Sequence, residues 1–307
     1  MTTAPDQTFP RVGVDVGGTK VAALLVGADG SVLARARRPS SGVDYDGLVG
    51  AIAEAADEVM AGADAVDSVG LAIAGNVSAD RSRVETSPHL DLHGQPLRDD
   101  VQARLGRTVV VENDANAAAW AEYALGPYAG VRDLVVVTVG TGLGGGLIIG
   151  GHMQRGAHGF AGEPGHVIVE PDGRACPCGG HGCWEQYASG TALVRSYRDR
   201  GGDATLDGPG VTSVAQAGDA LAVAAFNDIG GWLGYGLAGV VALLDPGTIV
   251  LGGGVAAAGD LLLAPTRAAL DHHLAWGGRR AAPALVLAQL GNDAGAVGAA
   301  LLAAEAD

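Results

Sequence analysis

The sequence predicts an α/β protein of two similar domains flanking a cleft, and three observations carry that prediction. The chain has 307 residues, past the size at which a single hydrophobic core keeps growing. Apolar strands followed by helical patterns occur in both halves, the order that builds layered α/β domains. The opening design of strand, small-residue turn and strand returns in mid-chain, as a repeat of shape rather than of residue identity.

The elements follow in order. RVGVDVGGTKVAALLV places short apolar runs on either side of Gly-Gly and reads as strand, tight turn, strand. A helical pattern runs from Asp46 to Met60, and SVGLAIAG is a buried strand. PLRDDVQARLG is a short amphipathic helix, Val109 to Val111 another strand, and NDANAAAWAEYALG a helix closed by Gly126. The first third therefore has βββαβαβα character. DLVVVTVGTGLGGGLIIGG repeats the opening hairpin. After a cysteine-bearing segment, helical patterns extend from Ser213 to Leu244. TIVLGGGVAAAGDLL then reads as strand, glycine turn and helix, ALVLAQL as a strand, and a terminal helix starts at Asp293.

Composition narrows the function classes. Apolar residues make up 48% and charged ones 17%, which suits a compact globular chain. The net charge of −15 argues against nucleic acid or an anionic membrane surface as partner, because both are bound through clustered Lys and Arg. The polar MTTAPDQTFP start shows no secretory signal, and the uncharged stretch Ile229 to Leu244 is too short and too interrupted for a membrane span. Three cysteines cannot complete a disulfide framework, so a reducing, cytoplasmic setting is expected.

Glycine is abundant at 51 residues, and its chemically interesting members come in runs. Gly140, Gly142 and Gly145 satisfy G-x-G-x-x-G, but LIIGG follows as a strand, whereas a dinucleotide fingerprint needs a helix N-terminus there. GxxxxGK[ST] is absent. The alternative is two hairpin turns gripping one phosphate chain from opposite sides, with backbone amides and Thr hydroxyls as donors. Gly17, Gly18 and Thr19 form the first, and Gly140, Thr141 and Gly142 the second. Asp15, at the end of the first strand, would repel phosphate unless a divalent cation lay between them, which assigns it to Mg2+, directly or through water. Lys20 is placed to help neutralise phosphate. The third turn, Gly252, Gly253 and Gly254, opens a helix and suits the nucleoside end.

All three cysteines, Cys176, Cys178 and Cys183, fall in ACPCGGHGCWEQ. Three thiolates need one more ligand for tetrahedral zinc, and both His166 and His181 are candidates. Four protein ligands leave no open position, so such a metal is structural. Asn113 and Asp114 stand between a strand and a helix, where either makes a natural N-cap. A kinase acting on an alcohol also needs a carboxylate within hydrogen-bond reach of the hydroxyl, and Asp114 follows a buried strand directly into the expected cleft.

DVGGT, GTGLGGG and LGGG, in that order, resemble the sugar kinase and actin ATPase superfamily. EPGH at 163–166 followed by CPCGGHGCWE at 176–185 resembles the signature of the ROK family of repressors, open reading frames and kinases. The match is spread over nearly the whole chain and is most similar to the ATP-dependent glucokinases of bacteria. The resemblance implies two actin-like, ribonuclease H-like domains, residues 1–112 plus 295–307 and residues 113–294. It implies phosphorylation of glucose at the 6-hydroxyl by Mg-ATP, with Asp114 as general base, and kinases for N-acetylmannosamine, fructose or allose are the alternatives. It assigns Gly75, Asn113, Asp114, Glu163, His166 and Glu185 to sugar, and His166 to zinc. It also implies a homodimer or homotetramer. Family repressors carry a winged helix-turn-helix before the first glycine turn, for which no room is seen here, so a sugar-sensing regulator is the lesser alternative. Pro164, the Pro88, His89, Leu90 segment and AGNVS depart from common family residues around the sugar, and so bear on which hexose is used.

Overall fold

The computed structural model describes residues 10–304 except 64–65, 88–89, 129 and 276–278, so Pro88 and His89 lie outside the described residues. The first half runs β1 (Arg11–Val16), β2 (Lys20–Val26), β3 (Val32–Pro39), α1 (Tyr45–Met60), β4 (Ser68–Ile73), β5 (Asn76–Val77), β6 (Val84–Thr86), α2 (Leu97–Leu105), β7 (Thr108–Asn113) and α3 (Asp114–Leu125). The second runs β8 (Leu134–Val139), β9 (Leu143–Ile149), β10 (His152–Met153), α4 (Glu185–Ala188), α5 (Gly190–Asp199), α6 (Gly208–Gln216), α7 (Ala220–Leu244), β11 (Thr248–Gly252), α8 (Asp260–His273), β12 (Ala284–Leu287) and α9 (Ala294–Ala303).

Two five-stranded sheets share one plan, β3-β2-β1-β4-β7 and β10-β9-β8-β11-β12. In each, the hairpin partners pair antiparallel and the inner strand is then extended by two parallel neighbours. The shape repeat in the sequence is thus a repeat of sheet topology. Parallel strands covered on both faces read as continuous apolar runs, which is what SVGLAI, VVV and TIVL are. Their C-terminal ends carry polar residues at neighbouring register, with Asp15 opposite Ala72 and Ile73 opposite Asn113. Ligands of open α/β sheets gather at such ends.

The apolar core of the first sheet packs Val12, Val14, Leu71 and Val111 against Leu48, Ile52 and Val59 of α1. A second core joins Val137, Ile249 and Leu251 to Trp184, Leu193, Phe226 and Leu233. Between the sheets, α3 packs on α9 and on β9, while α9 packs on β1 and β4. The C-terminal helix therefore returns to the sheet formed by the first residues.

The structure corrects four readings. The Ser213–Leu244 pattern is two helices, because Gly218 adopts φ +92° and Asp219 then caps α7 by accepting from Ala222 N at 2.8 Å. Helices α4 and α5 were unforeseen, as was the small β5–β6 hairpin. The third glycine turn leads first into a 3-10 turn, Gly254–Ala258, and only then into α8. His166 ends a 3-10 turn, Pro164–His166, an element the sequence pattern did not signal. No helix of the described residues is long and apolar enough to cross a membrane.

Candidate active site

The junction of β7 and α3 divides two duties between neighbouring residues. Asn113 is the N-cap of α3: its Oδ1 accepts from Asn116 N at 2.9 Å, and its Nδ2 donates to the Gly75 carbonyl at 3.0 Å. The capping role open to either residue thus falls on Asn113. Asp114, at the first helical position, accepts the Ala115 N–H at 2.8 Å and turns its carboxylate into the cleft. A helix N-terminus favours an anion there, yet burial pushes the Asp114 carboxyl up to about 7, with Asp15 and Glu163 adding repulsion. Burial raises Asp15 too, against the opposing pull of Lys20 and with Asp293 adding repulsion. Glu163 is raised by burial and by Glu185, while His166 opposes the shift.

Two cavities meet at these carboxylates, and a third adjoins one of them at the second glycine turn. One of about 380 Å3 is lined by Gly75, Asn113, Asp114, Glu163, His166 and Glu185, and by the second glycine turn. This gathers every residue expected to touch sugar. Asp114 and Gly253 also line a cavity of about 190 Å3 that includes Asp15, Thr138 and Gly252. Gly140 and Thr141 open in turn onto a cavity of about 1050 Å3 walled by α5, α6 and Gly254. The third turn is thus divided, with Gly252 and Gly253 beside the carboxylates and only Gly254 at the large cavity. Gly17, Gly18 and Thr19 line none of these three cavities. Their turn closes at the end of β1 through Gly17 N donating to Lys20 O at 3.0 Å and Ser40 Oγ donating to Gly17 O at 2.5 Å.

The second turn is shaped by close approach. A Cβ on Gly142 would stand 2.6 Å from Glu185 Oε2, so a side chain there would displace that carboxylate. Gly253 combines φ +81° with a Cβ position 2.6 Å from Val139 O, so only glycine fits. The start of α5 braces the same turn, with Gly190 N donating to Gly140 O at 2.7 Å and Thr191 Oγ1 to Thr141 O at 2.7 Å.

His166, Cys176, Cys178 and Cys183 present ligand atoms all within 4.8 Å of one another, and His181 is not in the group. Cys178 and Cys183 Sγ lie 3.6 Å apart, and Cys176 Sγ is 4.0 Å from His166 Nδ1. Zinc bonds of about 2.0–2.3 Å give tetrahedral edges of roughly 3.3–3.8 Å, so the donor set fits zinc in chemistry, the Cys178–Cys183 edge fits in spacing, and the His166 edge is wider. Cys176 Sγ lies 3.0 Å from Glu185 Oε1, so Glu185 touches the cluster on one side and the second glycine turn on the other. Trp184, fully buried, anchors the segment by donating Nε1 to Trp232 O at 2.8 Å.

Sequence reasoning missed the walls of the large cavity, Thr191, Val194, Arg195 and Arg198 on α5 and Pro209 and Thr212 on α6. The available signal was Ser189, a helix N-cap that accepts from Ala192 N at 3.2 Å.

Comparison with known proteins gives a consistent result. The sequence model described as the ROK family matches residues 11–306. A glucokinase of Streptomyces coelicolor is 43% identical, over 96% of this chain and 98% of that one. The crystal structure of a ROK family glucokinase from Streptomyces griseus in complex with glucose and AMPPNP matches with a TM-score of 0.88 at 42% identity, covering 96% of this chain and 99% of that one. A ROK hexokinase from Thermus thermophilus matches with a TM-score of 0.80 at 36% identity, covering 96% and 97%.

Proposed function

This chain belongs to the ROK family, and on that premise we propose that it transfers the γ-phosphoryl group of ATP to the 6-hydroxyl of glucose, with Asp114 as general base. The fold is the actin-like fold of the sugar kinases. The observation that carries the reading is the single 380 Å3 cavity in which an amide, an imidazole and three carboxylates meet the second glycine turn. Sugar hydroxyls both donate and accept, and such a mixed lining answers both needs.

In this reading Asn113, Glu163, His166 and Glu185 hold the hexose, together with the Gly75 backbone. Its 6-hydroxyl points at Asp114. The carboxylate accepts the hydroxyl proton as the oxygen–phosphorus bond forms and the bond to the β-phosphate oxygen breaks. A carboxyl raised to about 7 is matched to that task near neutral pH. Amides of Thr141 and Gly142 in the second turn, and of Gly18 and Thr19 in the first, would donate to phosphate oxygens, while those of Gly17 and Gly140 close their own turns, and Lys20 adds positive charge. The nucleoside occupies the 1050 Å3 cavity, entering past Gly254. Asp15 would hold the Mg2+ that accompanies ATP, directly or through water, and that ion would neutralise developing phosphate charge. His166, Cys176, Cys178 and Cys183 would hold a structural zinc, which would fix the orientation of His166 and, through Cys176, of Glu185.

The domains are residues 1–112 plus 295–307 and residues 113–294, a division supported by the packing of α9 on β1 and β4. Cysteines that form no disulfide and an ATP donor support a cytoplasmic setting. Exposed Tyr235 and Leu243 on α7 support a homodimer or homotetramer. Coupled ADP release with glucose, N-acetylmannosamine, fructose and allose tests the reading. Glucose is expected to give the highest kcat/KM, and preference for another hexose would replace the substrate while keeping the chemistry.

A further inference from the structure

Glu112 precedes Asn113 on β7, is only 2% exposed, and has no part in the transfer described above. A buried carboxylate requires partners, and those of Glu112 come from both walls of the sugar cavity. Its Oε1 accepts from Asn113 N and from Asn116 Nδ2, each at 3.2 Å, at the β7–α3 junction. Its Oε2 accepts from Arg155 Nε at 2.6 Å. Arg155 is fixed to the other sheet, because Gln154 N donates to Leu147 O on β9 at 2.8 Å. The Arg155 carbonyl accepts from Ala161 N at 3.1 Å, closing a loop that leads through Gly162 into Glu163. The far end of that loop returns to the same network. A Cβ on Gly162 would stand 3.4 Å from Asn116 Oδ1, a buried oxygen with no donor among the described residues.

The geometry points to Glu112 and Arg155 as a positioning pair that sets the spacing between the Asn113–Asp114 wall and the Glu163–His166 wall, and thereby sugar affinity. This rests on the reading of the 380 Å3 cavity as the sugar site. The pair grips the loop that carries Glu163 at its start, and Asn116 meets it at its end, so the network controls where that carboxylate stands. Removing Arg155 leaves a lone buried carboxylate, which frees the 155–163 loop. Neither member lines the 1050 Å3 cavity, so nucleotide affinity is independent of the pair.

Calorimetric titration of glucose without nucleotide, together with KM for both substrates, tests the assignment. Arg155→Ala is expected to weaken glucose binding by about 10–100-fold, the scale at which an ångström of misplacement is felt, while KM for ATP stays within about twofold. Arg155→Lys should recover most of the affinity. Adding Glu112→Gln to Arg155→Ala should weaken binding no further, because the two residues act as a unit. A folded Arg155→Ala that binds glucose like wild type, or loses glucose and ATP affinity alike, overturns the assignment. If that variant does not fold, the same readings on Glu112→Gln decide, a KM change confined to glucose supporting the pair and any other pattern overturning it. Failure of the cavity reading has a different signature, a wild type that binds none of the hexoses, which removes the premise and the inference with it.

Discussion

Asp114 and Asn113 are adjacent, yet local physics separates their work: one amide satisfies the open end of α3, which leaves the next carboxylate buried, crowded by Asp15 and Glu163, and raised to about 7. Asp114→Asn is expected to lower kcat by about 10²–10⁴-fold while leaving glucose affinity within a few-fold by calorimetry. An unchanged kcat would remove Asp114 as the base. The same shift predicts an acid limb in the pH profile of kcat/KM, centred near about 7 and falling tenfold per unit below it. A flat profile from pH 5 to 8 would contradict it. The sign for stability is opposite to that of a salt-bridged carboxylate. The folded state holds this proton more tightly than the unfolded chain, whose value is near 3.8, so stability is lost as pH rises from about 4 towards about 7. Asp114→Asn should therefore raise Tm at pH 7.5, and the gain should vanish near pH 4. Gly142→Ala tests the close approach to Glu185 Oε2. Its Cβ would stand 2.6 Å from that oxygen, and a loss of glucose affinity of order 10–100-fold is expected in steady-state KM.

At the scale of the element, what could be read in the sequence was what lies close along the chain. Both hairpin turns are uninterrupted runs, and the cysteine loop holds its three cysteines within eight positions, so pattern and scarcity exposed them. The Asn113–Asp114 junction was legible as a strand running into a helix, though not which residue caps it, because that depends on the reach to Gly75 O. The proposed nucleoside cavity was not legible. It is assembled from the turn at Gly140, the flank of α5, the start of α6 and the segment at Gly254, and its walls are ordinary Val, Thr and Arg residues. The Glu112–Arg155 pair was hidden for the same reason, being 43 residues apart. The cysteine segment yields an element-scale prediction: a strong chelator should release one zinc per chain and lower both Tm and glucose affinity. A demetallated protein with normal glucose affinity would end the proposed role of the cluster. Trp184→Ala, which removes the buried anchor beside Cys183, should cost about 3–5 kcal/mol in denaturant unfolding.

At the scale of the whole molecule, two sheets of one topology place the C-terminal ends of their parallel strands around a shared cleft, with α3 and α9 packed between them. The repeat of shape was visible in the sequence, but the return of α9 to the first sheet was not, since nothing in an Ala-rich helix says which sheet it covers. On the proposed domain division, with its boundaries near residues 112 and 294, glucose should draw the two halves together and exclude water from the transfer. Small-angle scattering should show a smaller radius of gyration with saturating glucose, and an unchanged radius would contradict closure. The central claim is transfer of phosphate to the 6-hydroxyl of glucose in the 380 Å3 cavity, which adjoins the other two. NMR of the products formed from glucose and Mg-ATP tests it most directly. The account predicts glucose 6-phosphate and ADP in equal amounts. Phosphate on another hydroxyl, or ADP and free phosphate with no sugar phosphate, would contradict it.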